Sequence, residues 1–120
     1  MVQFNLSHKS VLDAMLLDLP GVRPGKMFGY PAYYAGEKLS ICLVEEGVGL
    51  KLPAERVDTL LAEDPHTSPF QPLGRPKMRE WLQINPEESR DLEAYLPVFE
   101  ESIQFVLGLQ NKSSGNKRKI

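Results

Sequence analysis

A chain of 120 residues and 13.5 kDa is the length of one domain, enough to bury a core without metals or cross-links. Hydrophobic residues at 42% and charged residues at 25% exclude a globally disordered chain. The single cysteine, Cys42, excludes an internal disulfide and fits a reducing cytoplasm. Net charge is −2, but Lys112, Lys117, Arg118 and Lys119 lie in the last ten residues, which hold no acid. Without those four cations, 16 acids face 10 bases, a net of −6. So acidic a body argues against a domain that coats DNA. Residues 111–120 read as a disordered basic tail beyond a single domain of residues 1–110, with weak contact to an anionic partner as the other reading. The opening residues lack a long apolar run, because Asp13 and Asp18 interrupt it, so no signal peptide is expected. No apolar stretch approaches the roughly 20 residues of a membrane helix.

Residues 7–19 form the first expected helix. Val11, Leu12, Met15, Leu16 and Leu19 recur at helical spacing, Ser7 or Ser10 serves as cap, and Pro20-Gly21 stops it. Residues 23–53 read as a strand meander. The pieces are residues 26–28, 32–35, 38–45 and 48–52, with turns at Gly29-Tyr30-Pro31, Gly36-Glu37 and Glu46-Gly47. Alternation places Leu39, Ile41 and Leu43 on one side and Lys38, Ser40 and Cys42 on the other. A second helix is expected over residues 53–63, with Pro53 in its first position and Val57, Leu60 and Leu61 buried. Three prolines make residues 64–74 a loop, with an extended piece at 69–71. Residues 77–84 read as the last strand. Asn85-Pro86-Glu87-Glu88 signals a third helix running to about Leu109, kinked near Tyr95-Leu96 by Pro97. The expected class is a two-layer α+β domain: an antiparallel sheet, helices on one face, and the order α, three or four strands, α, one or two strands, α.

Three blocks carry a family resemblance. The first is Lys26-Met27-Phe28-Gly29-Tyr30-Pro31-Ala32-Tyr33-Tyr34 with Gly36. The second is Gly49-Leu50-Lys51-Leu52-Pro53. The third holds Phe70, Pro72, Gly74-Arg75-Pro76-Lys77-Met78 and Glu80-Trp81. In this order, across residues 23–105, the chain resembles the TfoX N-terminal domain family. The resemblance implies a YjbR-like or secretion-chaperone-like α+β fold in a bacterial cytoplasmic protein. The regulator of natural competence that names the family carries a further C-terminal helical domain, which this chain is expected to lack. The resemblance supplies no catalytic residues.

No cofactor or metal is expected, and an enzyme is not. His8 and His66 share no ligand spacing with Cys42, and the carboxylates of the third helix fit a solvated face. Gly21, Gly25 and Gly29 fit turns rather than a phosphate loop. Arg23, Lys26, Arg75, Lys77 and Arg79 flank two strand starts. If those starts are neighbours, they form an anion or nucleic-acid patch; otherwise they neutralise nearby acids.

In the last strand, Met78, Glu80, Leu82 and Ile84 share one face, and Arg79, Trp81 and Gln83 the other. Trp81 is then expected away from the helices beside Lys51 and Cys42, covered by a protein partner, a second subunit or the loop 64–74; a bulge would bury it as plain core instead. The sequence thus favours a non-catalytic interaction or regulatory module using Lys51, Arg79 and Trp81. The alternative is a nucleic-acid-associated regulator using the Arg75–Arg79 basic patch and the basic tail.

Overall fold

In the computed structural model, which describes residues 3–71 and 78–118, with side chains through residue 110, Asn5 opens the first helix, α1 (Leu6–Leu16). Its Oδ1 accepts the His8 N–H at 3.1 Å, so the cap is Asn5 rather than Ser7 or Ser10, which lie inside the helix. Four strands follow: β1 (Val22–Met27), β2 (Tyr30–Ala35), β3 (Lys38–Val44) and β4 (Gly47–Lys51). Two-residue turns join them and force antiparallel pairing. The first turn sets both Phe28 (φ 51) and Gly29 (φ 88) at positive φ, the pattern that matches strand twist. Pro53 then caps α2 (Ala54–Glu63), and β5 (Thr67–Pro69) leads towards β6 (Trp81–Ile84).

The sheet order is β1-β2-β3-β4-β6-β5, antiparallel throughout. Leu12 and Leu16 of α1, Val57 and Leu60 of α2, and Phe99, Ile103 and Val106 pack on one sheet face. That face presents Ile41, Leu43, Val48, Leu50, Leu82 and Ile84. A second apolar cluster, Tyr30, Ala32, Cys42, Val44, Phe70 and Trp81, contains no helical residue among those described. The domain is therefore the expected two-layer α+β fold with its helices on one face.

Simple alternation fails in two places. Tyr33 pairs with Ile41 but Tyr34 pairs with Leu39, so Ser40 is the extra residue of a β-bulge. Ser40 then turns to the helices, where its Oγ lies 2.8 Å from Ser102 Oγ, and Leu39 packs on the opposite face with Tyr34. Leu39 and Ser40 have exchanged the sides that alternation assigns them. The last strand also starts late. Met78 and Glu80 are exposed and precede it in a turn closed by Trp81 N–H to Met78 O at 3.1 Å. Only Leu82 and Ile84 of the expected set face the helices.

The segment after β6 also differs from the expected single helix. Asn85 bridges strands, its Nδ2 donating to Ser68 Oγ at 2.9 Å. Glu88 caps a 3-10 helix (Ser89–Tyr95) through a reciprocal box with Asp91. The α-helix α3 (Leu96–Arg118) begins where a break was expected. Pro97 is harmless there, because its missing N–H falls among the unpaired donors of a first turn. Gln110 ties α3 to the β2–β3 turn: Nε2 donates to Ala35 O at 2.8 Å, and Oε1 accepts from Glu37 N–H at 3.1 Å. The helix passes its expected end near Leu109 and has helical backbone to Arg118, within the segment 111–120 read as a disordered tail. Side chains of 111–118, and residues 119–120 entirely, lie outside the described residues. Cations near a helix C-terminus favour its continuation by opposing the dipole.

Candidate functional site at the outer sheet face

The sheet face away from the helices is built around a glycine. Gly49 of β4 pairs with Cys42 on one side and Gln83 on the other, and it leaves a gap in the row of side chains. The Phe70 ring, delivered by the segment after β5, fills that gap. A Cβ on Gly49 would stand 2.7 Å from Phe70 Cδ1 and 2.9 Å from Cζ. Phe70 in turn stacks on Trp81, with centroids 5.1 Å apart and planes at 25°. Trp81 faces away from the helices, as expected, yet it is only 6% exposed. Its cover is a residue of the loop 64–74, and with Phe70 in place the outer face is not an open aromatic surface.

Lys51 lies across the Trp81 ring, with Nζ 5.8 Å from the centroid, and forms an ion pair with Glu80 at 3.2 Å. These two residues join Ala54, Met78, Arg79 and Trp81 around an open depression of about 430 Å³. Ala54 is the first residue of α2, a helix end that no side chain caps. Met78 is 42% exposed, and Arg79 is exposed with no ion-pair partner among the described residues. Lys51, Arg79 and Trp81 therefore converge at one place, the first two reaching solvent and the third lying beneath.

The basic residues do not all converge. Arg23 and Lys26 are exposed on β1, at the sheet edge. Arg23 Nε and Nη2 both donate to Gly36 O, at 3.0 and 2.8 Å. Strands β2, β3 and β4 separate β1 from β6, so the two strand starts are not neighbours; Arg79 stands roughly 19 Å across the sheet at the usual strand spacing. Arg75 and Lys77 lie outside the described residues.

Other polar groups have structural partners. Cys42 is wholly buried, and desolvation pushes its thiol up to about 12 despite a lowering hydrogen bond from the Gly49 backbone. His8 is buried between Ser89 Oγ, 2.6 Å from Nδ1, and Glu46 O, 3.1 Å from Nε2. A carbonyl only accepts, so Nε2 carries a proton towards Glu46 O, while the Ser89 hydroxyl can take either role at Nδ1. This pins α1 to the 3-10 helix, a role that the position of His8 in the sequence does not reveal. The Tyr33 hydroxyl donates to Asp13, which also pairs with Lys9 at 2.8 Å. Burial acts to raise Asp13, but the hydrogen bonds from Lys9 and Tyr33 outweigh it and hold the carboxyl below its ordinary value. Burial, then the bond to Asp13, raises the Tyr33 phenol. A second depression is lined by Asp64, His66, Glu87, Asp91 and Tyr95; Tyr95 donates to Asp64 at 2.7 Å. No group of three or more metal-ligating side chains occurs among the described residues. Nor is any described helix long and apolar enough to cross a membrane. The chain matches no family model, no curated protein and no solved structure.

Proposed function

We propose that the protein is a non-catalytic interaction or regulatory module of the kind its TfoX N-terminal resemblance implies, in a bacterial cytoplasm, with the depression at Lys51, Arg79 and Trp81 as its protein-partner site. The observation that carries this reading is the arrangement of the depression. An exposed thioether (Met78) and an exposed guanidinium (Arg79) line the depression with Trp81, whose ring is held by stacking on Phe70. Aromatic and arginine side chains dominate binding energy at protein interfaces, and packing that fixes them beforehand lowers the entropy lost on association. Arg23 and Lys26 lie on β1, apart from β6 in the sheet, so they do not extend the Arg75–Arg79 patch of the nucleic-acid alternative, of which Arg79 is a described residue.

The test is a photoreactive group placed at Arg79 in the living source cell, with the cross-linked partner then purified and titrated. Arg79→Glu and Met78→Asp should each weaken that partner's binding at least tenfold without altering the circular dichroism of the domain. Unchanged affinity in both variants would remove the depression as the partner site.

A further inference from the structure

Resting on the reading of this depression as the partner site, we infer that the segment it takes is a short acidic peptide. Such a segment offers one carboxylate to Arg79 and an adjacent apolar side chain to Met78, Ala54 and the Trp81 edge. The argument is one of charge complementarity. The body carries 16 acids against 10 bases, yet the depression is lined by two cations, Lys51 and Arg79, and one acid, Glu80. Lys51 and Glu80 neutralise each other at 3.2 Å, and the Lys51 ammonium is further engaged by the Trp81 ring. That leaves Arg79 as the uncommitted charge, exposed and without an ion-pair partner among the described residues. A guanidinium presents a planar fork that matches a carboxylate through two parallel N–H···O bonds. The remaining walls are thioether, methyl and indole, which favour an apolar neighbour on the same peptide. A basic segment would meet the Arg79 charge at the mouth. A nucleic-acid strand draws its affinity from several phosphate contacts, and among the described residues lining the depression Arg79 is the one cation without an ion-pair partner.

Trp81 is the only tryptophan, so its emission reports directly on this site. The probe is a degenerate pool of acetylated, amidated tetrapeptides with Asp or Glu at two positions and Leu or Phe at the others. The control pool carries Asn or Gln in place of the acids. The acidic pool should change Trp81 emission saturably and bind about three- to tenfold more tightly than the control at low salt, an advantage that shrinks in 0.5 M salt. Arg79→Gln should erase the advantage while the domain stays folded. Equal affinity for the two pools would overturn the acidic assignment and leave the partner-site reading standing. An advantage that survives in Arg79→Gln would overturn it too, by assigning the carboxylate to another group. Tighter binding of a ten-nucleotide oligothymidylate than of the acidic pool would overturn it in favour of nucleic acid. No emission change and no amide shift at residues 51, 54, 79 and 81 with any probe would overturn both the inference and the site reading beneath it.

Discussion

Replacing Gly49 by alanine probes how the outer face is closed. The added methyl would overlap the Phe70 ring, whose Cδ1 and Cζ would lie 2.7 and 2.9 Å away. The ring cannot simply slide aside, because its other face is held against Trp81. Expelling Phe70 forfeits about 1.5–3 kcal/mol of side-chain burial and about 0.5–1.5 kcal/mol of aromatic stacking. Removing glycine from a strand returns about 0.5–1 kcal/mol. The expected net loss is about 1–4 kcal/mol, centred near 2–3. Urea denaturation followed by Trp81 emission measures it, and the native emission of the variant should shift to the red and become more accessible to acrylamide. The decisive measurement is the cycle with Phe70→Ala. In that background Gly49→Ala should instead stabilise by about 0.5–1 kcal/mol, a coupling of about 2–4.5 kcal/mol between the two sites. An equal cost in both backgrounds would show that Phe70 does not occupy the gap above Gly49, and the closure described for Trp81 would fall with it.

Cys42 should be inert to an aromatic disulfide reagent in the native protein at pH 8 and react only as fast as the domain unfolds; stoichiometric labelling within minutes would contradict its burial. Because the folded pKa of Asp13 is lowered, its stabilising contribution is present above the ordinary carboxylate pKa and is lost as pH falls through the folded value. The stability gap between the wild type and Asp13→Asn should accordingly be widest at neutral pH and narrow below about pH 4; a gap constant down to pH 2 would refute this. Ser102→Ala should cost about 1–2 kcal/mol by leaving the buried Ser40 hydroxyl without its partner. Adding Ser40→Ala should cost less than a second such loss, and strict additivity in denaturation would argue against the pair.

Periodicity within an element was legible in the sequence. The stripe containing Leu12 and Leu16 predicted the buried face of α1, and Val48, Leu50 and Leu52 predicted the core row of β4, because burial follows the repeat of the backbone that carries it. Pro97 marked the join between the 3-10 helix and α3 for an equally local reason, a missing N–H. The side of the sheet that Trp81 takes was also readable from Leu82 and Ile84. What covers Trp81 was readable only as a choice among three candidates, since Phe70 is eleven residues away in the chain and meets it only once β5 has paired beyond β6. The void at Gly49 that admits the ring looked like an ordinary strand glycine, because nothing local distinguishes a glycine that receives an aromatic ring from one that does not. Strand order decided the fate of the basic patch in the same way. Arg23, Lys26 and Arg79 all flank strand starts, but only the placement of β2, β3 and β4 between them determines that pairing does not unite their charges. The bulge at Ser40 followed from a long-range match, the Ser40–Ser102 hydrogen bond under α3, against which local alternation carries no weight. Tertiary structure settled the contacts that join distant segments, because their energies depend on which surfaces meet and the linear pattern specifies only which surfaces must be hidden.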